Sequence, residues 1–279
     1  MAGEYNDWKG QVKSLSSKAE DLLETVGTPL KPYMPAIGRM LIVATFFEDA
    51  LRIVSQWKDQ LSYLERHRHF PWGLSHSFLI LNVLTMLSCS VLVIAKKHSE
   101  IAVGGLIGVV IMQAIGYGLL FDISFLLRNI SVMGGLLMVL SDSLSRRRRM
   151  FAALPSLSET DRRKYFQLAG RVLLIFLFLG FVLHGEWSLL RVAFSIISLA
   201  ACVMVVIGFK AKWSATFLVL FLSIFNLIVN NWWSMHHAHP ERDFLKYDFF
   251  QTLSIVGGLL LLVNMGPGGI SYDSLKKEY

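Results

Sequence analysis

The sequence predicts an all-α polytopic membrane protein of about eight transmembrane helices. Of its 279 residues, 54% are hydrophobic and only 17% are charged. The mean hydropathy is +0.51, and most of the charged residues lie between long apolar runs. A soluble fold has no place to bury so many long apolar segments, so the composition excludes a soluble globular protein.

Eight segments are long enough to cross a bilayer, which takes about 20 mostly apolar residues. They cover residues 36–57, 72–95, 101–121, 123–140, 166–184, 189–209, 213–233 and 245–265. The first is the least apolar, because it contains Arg39, Glu48, Asp49 and Arg52. We expect Arg39, one turn inside that segment, to extend its side chain back to the lipid head groups.

The chain contains an internal repeat. Residues 36–43 (AIGRMLIV) match residues 168–175 (LAGRVLLI). Residues 125–140 (FLLRNISVMGGLLMVL) match residues 248–263 (DFFQTLSIVGGLLLLV), including a serine three positions before Gly-Gly-Leu-Leu. Each repeat therefore begins with a Gly-Arg helix and ends with a Gly-Gly helix. Because each unit has an even number of spans, two tandem four-helix repeats would be related by an axis along the membrane normal.

The repeat divides the chain into five parts. These are a cytosolic amphipathic helix (1–32), the first four-helix membrane repeat (33–140), a cytosolic basic linker (141–165), the second four-helix membrane repeat (166–265) and a cytosolic tail (266–279). The N-terminal part has no apolar core of the kind that a signal peptide needs, so we expect insertion to begin with the first span. Its amphipathic helix can lie on the membrane surface or pack on cytosolic loops, and the pattern favours neither.

The distribution of basic residues predicts that both termini are cytosolic. In this orientation seventeen of the 27 lysines and arginines lie in cytosolic segments, six lie on the opposite side and four lie within spans. This bias follows the positive-inside rule, and the reverse orientation violates it. The net charge of +7 is therefore a topology signal, and no nucleic-acid partner is needed to explain it.

Polar side chains recur at the non-cytosolic ends of the spans. Such residues are costly inside a membrane and normally face a protein interior or a wet cavity. The candidate site residues are Glu48, Asp49, Tyr117, Asp122, Arg128, Asn226, Asn230, Tyr247, Asp248 and Gln251. We hypothesise that they converge in one cavity. Glu48 and Arg52 stand four residues apart on one helix face and can instead pair with each other, so both interpretations stay open.

No catalytic or metal site is predicted. The two cysteines lie in separate spans, and the histidines of the His236–His239 segment have no further ligand to complete a metal site. No nucleophile with its base and no phosphate-binding loop stands out. We therefore expect neither enzymatic activity nor a cofactor.

Several motifs together carry a resemblance to a known family. DFLKYDFFQT (243–252), FFEDALR (46–52), the two GGLL helices and GPGG (266–269) resemble the surfeit-locus-4 family of endoplasmic-reticulum cargo receptors, whose fungal members serve soluble secretory cargo. The resemblance extends from about residue 33 to residue 279. It implies a receptor that captures soluble secretory proteins in the lumen by their N-terminal peptides, for export in COPII vesicles to the Golgi. The candidate carboxylates would then bind the free amino group of the cargo, and the aromatic residues its first side chains.

The chain end contains a sorting motif. Lys276 and Lys277 in KKEY have the spacing of a di-lysine signal, which recruits the COPI coat for return to the endoplasmic reticulum. Such a signal works only in the cytosol, where the predicted topology places it.

The expected partners are cargo N-termini in the lumen, COPII and COPI coats in the cytosol, and membrane lipids, with no nucleic acid. The expected location is the endoplasmic-reticulum membrane, with cycling through COPII vesicles and the early Golgi. The alternative is a secondary transporter or a lipid-handling membrane protein, because internal repeats and buried charges also occur in transporters.

Overall fold

In a computed structural model, the structure describes residues 31–150, 157–174, 176, 189–236, 241–266, 268 and 270–272. Those residues form nine α-helices and no β-strand. The helices are α1 (Met34–Ser55), α2 (Trp57–Arg66), α3 (Trp72–Ala95), α4 (Ser99–Gly116), α5 (Ile123–Met150), α6 (Leu157–Leu174), α7 (Leu189–Ile207), α8 (Ala211–Val229) and α9 (Glu241–Met265). Short 3₁₀ turns at Leu119–Phe121 and Trp232–Ser234 follow α4 and α8. The predicted all-helical class is confirmed for this part of the chain.

Five helical segments within the described residues are long and apolar enough to cross a membrane. They are Trp72–Ala95, Ser99–Gly116, Phe125–Leu144, Ala211–Ser234 and Arg242–Met265. Each overlaps one of the predicted spans. The length and composition of these helices are those of a polytopic membrane protein.

The three other predicted spans stay predictions. A helix forms over the first of them, α1, but its four charged side chains separate it from the five apolar segments. In α7 the apolar segment Ile196–Ile207 is shorter than a full span. The predicted span 166–184 lies within the described residues only as far as 174, and at 176. Helices also enter the predicted linker, because α5 continues to Met150 and α6 begins at Leu157.

Glycines allow the two most extensive helix contacts, α1 with α9 and α5 with α6. A Cβ atom on Gly38 of α1 would lie 3.0 Å from the carbonyl oxygen of Gly257 in α9. A Cβ atom on Gly170 of α6 would likewise lie 3.0 Å from the carbonyl oxygen of Gly134 in α5. Small residues let helix backbones approach this closely in membrane proteins. The first helix of each predicted repeat thus packs on the last helix of the other.

Two serines strengthen the same helix pairs. Ser254 Oγ of α9 donates a hydrogen bond to the carbonyl oxygen of Ile42 in α1 at 3.1 Å. Ser131 Oγ of α5 donates to the carbonyl oxygen of Leu173 in α6 at 3.2 Å. Each serine lies three residues before a Gly-Gly pair. The remaining helices flank this centre, α3 and α4 beside α1 and α5, and α7 and α8 beside α6 and α9.

A buried ion pair joins three helices at one end of the bundle, which we call the Asp142 end. Arg39 of α1 places Nη2 2.7 Å from Asp142 Oδ2 of α5, and its Nη1 donates to the carbonyl oxygen of Val93 in α3 at 3.2 Å. The expectation that Arg39 extends to the lipid head groups is wrong, because the residue is only 1% exposed. A carboxylate from a distant part of the sequence makes its burial tolerable.

The second Gly-Arg helix, α6, contacts the segment that follows α9. Arg171 of α6 is fully buried, and its Nη2 donates to the carbonyl oxygen of Ile270 at 2.5 Å. Gln167 Nε2 donates to the carbonyl oxygen of Gly266 at 2.6 Å. The segment that follows α9 is therefore bound to α6.

Candidate functional site

Three carboxylates and three cations from α1, α5 and α9 lie together at the opposite end of the bundle, the Glu48 end. We call these six residues the charged cluster. Its members are Glu48, Asp49, Arg52, Arg128, Lys246 and Asp248. The formal charges of these six residues sum to zero, so the cluster is electrically neutral without a ligand.

Two of the carboxylates accept hydrogen bonds from arginines. Arg52 donates to Asp49 one turn earlier on α1. Arg128 of α5 donates to Asp248 of α9, and this pair connects the last helices of the two predicted repeats. Hydrogen bonds between ionised groups are about twice as strong as neutral ones, so both pairs are firmly formed.

Glu48 is held less firmly than the other two carboxylates. Lys246 Nζ lies 3.4 Å from Glu48 Oε1, close enough for an ion pair. Neither oxygen of Glu48 accepts a hydrogen bond from the described residues. The sequence spacing allowed Glu48 to pair with Arg52, but Arg52 bonds Asp49 and α9 brings Lys246 to Glu48 instead.

The cations form an outer layer over the carboxylates. The exposed fraction of the cation side chains is 30% for Lys246, 29% for Arg52 and 33% for Arg128. The exposed fraction of the carboxylate side chains is 3% for Glu48, 12% for Asp49 and 26% for Asp248. A ligand that reaches Glu48 from the surface must therefore pass or displace a cation.

Neutral polar side chains extend the cluster. Gln113 Nε2 of α4 donates to Asp49 Oδ2 at 2.8 Å. Gln251 Nε2 donates to the hydroxyl oxygen of Tyr247 at 2.5 Å. The Arg52 guanidinium lies 5.1 Å from the centroid of the Tyr247 ring, which is a cation–π geometry. These contacts bring Tyr247 and Gln251 to the charged cluster.

Tyr117 forms an aromatic edge of the site. Its ring centroid lies 6.0 Å from those of Tyr63 and Phe78, and its carbonyl oxygen accepts a hydrogen bond from the Tyr63 hydroxyl at 3.3 Å. It also interacts electrostatically with Asp49 and Arg52. Tyr117 therefore stands next to the charged cluster at the end of α4.

Three of the predicted site residues make contacts elsewhere. Asp122 is exposed, and its Oδ1 accepts a hydrogen bond from the Phe125 N–H at 3.1 Å, which caps the start of α5. Asn226 Nδ2 donates to the carbonyl oxygen of Phe249 at 3.0 Å, and Asn230 Nδ2 donates to Asn226 Oδ1 at 2.8 Å. The two asparagines thus hold α8 against α9.

Three members of the site, Arg52, Gln113 and Lys246, were not among the predicted site residues. Arg52 was considered only as a partner of Glu48. The sequence could have indicated Gln113 as a site residue, since it is a polar residue near the end of an otherwise apolar helix. The sequence did not indicate Lys246 as a site residue, because a lysine at the edge of a span is normally solvated. The predicted sorting residues Lys276 and Lys277 lie outside the described residues.

No group of three or more metal-binding side chains occurs within the described ranges. His237 and His239 of the predicted histidine segment lie outside them.

The helices and the charged cluster define a class, a polytopic helical membrane protein with a compensated set of charges at one end of its bundle. The model of the SURF4 family matches residues 13–279. This chain belongs to that family, as the resemblance of its motifs predicted.

Relatives from three organisms agree with this assignment. The chain is 51% identical over 275 residues to "Surfeit locus protein 4 homolog" of Schizosaccharomyces pombe, covering 96% of this chain and 90% of that protein. It is 42% identical over 267 residues to the Drosophila melanogaster protein of the same name, covering 94% and 97%. It is 40% identical over 281 residues to "ER-derived vesicles protein ERV29" of Saccharomyces cerevisiae, covering 100% and 88%. No solved structure matches the chain.

Proposed function

We propose that this protein is a cargo receptor that captures soluble secretory proteins in the endoplasmic-reticulum lumen by their N-terminal peptides. It accompanies them in COPII vesicles to the Golgi and returns with COPI. Membership of the SURF4 family supports this role, as does the name of the Saccharomyces relative, which places that protein in vesicles derived from the endoplasmic reticulum.

The proposed topology has eight spans in two tandem repeats, with both termini in the cytosol. The Asp142 end then faces the cytosol and the Glu48 end faces the lumen. The basic residues support this orientation: α5 continues past Asp142 into Arg146–Arg149, and Lys96 and Lys97 follow the end of α3 that contacts Arg39. The charged cluster is then positioned to meet lumenal cargo.

The observation that carries the proposal is a set of carboxylates, Glu48 and Asp49 buried and Asp248 partly exposed, each paired with a partly exposed cation. The N-terminal ammonium of a peptide has three donors and can form short charge-assisted hydrogen bonds to a carboxylate. Neither oxygen of Glu48 accepts a hydrogen bond from the described residues, so both can form such bonds once a ligand displaces Lys246 from Oε1. Tyr117 and Tyr247 provide aromatic surface beside the charges for the first side chains of the cargo.

Amide substitutions in the cluster test the capture step. Glu48→Gln, Asp49→Asn and Asp248→Asn each remove one negative charge with little change in volume. We expect each variant to reduce the amount of soluble cargo packaged into vesicles that bud from microsomes, with normal abundance of the receptor. Asp122→Asn is the matched control, because it makes the same change at the same end and asparagine caps helices as well as aspartate. Normal packaging by all three cluster variants would contradict the proposal.

A separate experiment tests recycling. Replacing Lys276 and Lys277 by serine should move the receptor at steady state from the endoplasmic reticulum to the Golgi, because the COPI signal is lost. The fraction in each compartment is measured by fractionation. An unchanged distribution would show that Lys276 and Lys277 are not a sorting signal, and it would not affect the proposal of cargo capture. Transport of a small solute by reconstituted vesicles would favour the transporter alternative.

A further inference from the structure

Lys246 differs from the other two cations of the charged cluster. Arg52 and Arg128 each donate a hydrogen bond to their carboxylate, whereas Lys246 Nζ stands 3.4 Å from Glu48 Oε1 and Glu48 accepts no hydrogen bond within the described part of the chain. A buried carboxylate without hydrogen bonds is unfavourable. Glu48 therefore gains most from a better donor than the one it has.

In its observed position the Lys246 ammonium already has a second partner. Lys246 Nζ is 5.8 Å from the centroid of the Trp232 ring, within the range in which tryptophan attracts cations. Trp232 stands in the 3₁₀ turn after α8 and also contacts Arg242, whose guanidinium lies 5.2 Å from the ring centroid. Lysine has a flexible stem and a compact ammonium, so its charge can stay with the Trp232 ring when another ammonium takes its place at Glu48.

We propose that Lys246 occupies the place of the cargo amino group in the empty receptor and moves to Trp232 when cargo binds. This inference rests on the proposed function and identifies what the site selects. A peptide ammonium is the same chemical group as the Lys246 ammonium. Because it is not attached to α9, it can approach Glu48 with the distance and angle of a hydrogen bond, which the Lys246 side chain does not reach. An acetylated N-terminus has no charge to exchange. The resident lysine thus excludes neutral ligands and weakly held cations, which is selection through a competing contact.

The inference predicts opposite effects for two substitutions of one residue. Lys246→Met keeps the length of the side chain and removes the competing charge, so the full-length, detergent-purified protein should bind a short free-amino peptide with apolar first residues about tenfold more tightly. Lys246→Arg keeps the charge and can bond both oxygens of Glu48, so binding should weaken by about tenfold. If the methionine variant does not fold, the peptide affinity of the Lys246→Arg variant still tests the inference. Unchanged affinity in a folded variant, or weaker binding by Lys246→Met, would overturn the inference.

A double-mutant cycle tests the role of Trp232. Trp232→Leu removes the surface that receives the displaced lysine, so it should weaken binding of the same peptide when Lys246 is present. It should have no effect on affinity in the Lys246→Met background, where no charge has to move. An equal loss of affinity in both backgrounds would overturn this part of the inference.

The wild-type protein separates the two levels of the proposal. If it binds neither free-amino nor acetylated peptide, the proposed capture of N-termini fails and the inference about Lys246 fails with it. If it binds the free-amino peptide and the Lys246 variants bind equally well, capture of N-termini stands and only the displacement of Lys246 is refuted.

Discussion

The two ends of α1 use charge in different ways. At the Asp142 end, Arg39 is almost completely buried and bonds both a carboxylate and a carbonyl oxygen from two other helices. At the Glu48 end, the carboxylates lie under cations that are about one third exposed, and Glu48 has no hydrogen bond from the described residues. One helix therefore carries a fully buried ion pair at one end and, at the other, a partly exposed cluster with a carboxylate that accepts no hydrogen bond from the described residues.

The comparison shows that burial alone does not identify a functional charge. Arg39 and Glu48 are both buried. They differ in how many of their hydrogen bonds are formed and in whether a partner is exposed enough to leave. A buried group that retains unused hydrogen-bonding capacity beside a partly exposed partner is the better candidate for ligand contact.

Removing the ion pair at the Asp142 end should have the largest effect on stability. Asp142→Asn leaves the Arg39 charge without its carboxylate, and the loss of one partner of a buried pair typically costs about 3–5 kcal/mol. We expect a large fall in thermal stability, measured in detergent by the temperature of unfolding. Glu48→Gln should cost much less, because the Glu48 carboxylate accepts no hydrogen bond from the described residues and its partner Lys246 is 30% exposed, so that its charge can be solvated.

A double variant distinguishes a lost pair from general damage at the Asp142 end. Replacing Arg39 by Met together with Asp142 by Leu removes both charges, and it should be more stable than Asp142→Asn because no unpaired charge remains. A double variant less stable than the single one would contradict the role given to this pair. So would a larger loss of stability from Glu48→Gln than from Asp142→Asn.

A substitution at the contact of α1 with α9, which lies between the two ends of the bundle, should have an intermediate effect on stability. Gly257→Ala places a methyl group 2.9 Å from the backbone nitrogen of Ile42, and overpacking of this kind costs about 1–3 kcal/mol. The unfolding temperature in detergent should fall. Gly104→Ala in α4 is the matched control, since a Cβ atom there meets nothing within 4 Å. If the two alanine variants are equally stable, α1 and α9 do not approach at Gly257.

The smallest effect is expected at the interhelical serines. Ser254→Ala and Ser131→Ala each remove one hydrogen bond to a carbonyl of the partner helix, and such bonds contribute about 0.6 kcal/mol in membrane proteins. We expect similar small decreases in unfolding temperature, because the two bonds occupy corresponding places in the predicted repeats. A loss several times larger at one serine than at the other would argue against that correspondence.

The helical class was predicted from the sequence, and the glycine motifs, which the sequence showed only as a repeat, lie where helices meet. The Gly-Arg and Gly-Gly motifs mark the contacts of Gly38 with Gly257 and of Gly134 with Gly170, because close packing needs small residues and leaves a pattern. The apolar runs located the five spans for a similar reason, since the bilayer fixes their length.

The pairing of charges was not accessible in the same way. Arg39 meets a carboxylate 103 residues away, and no local pattern announces such a partner. The spacing of Glu48 and Arg52 suggested a pair within one helix, but tertiary packing brought Lys246 from α9 to Glu48. The candidate residues Asp122, Asn226 and Asn230 have the polarity of site residues, yet their local bonds show that polarity at a helix end also serves capping and packing.

The most direct test of the central claim is the affinity of the detergent-purified wild-type protein for one short peptide with apolar first residues, prepared with a free and with an acetylated N-terminus. We expect the free-amino peptide to bind and acetylation to weaken binding by at least about tenfold, because the charged cluster is proposed to recognise the ammonium. Equal affinity for the two forms, or no binding of the free-amino form, would contradict it.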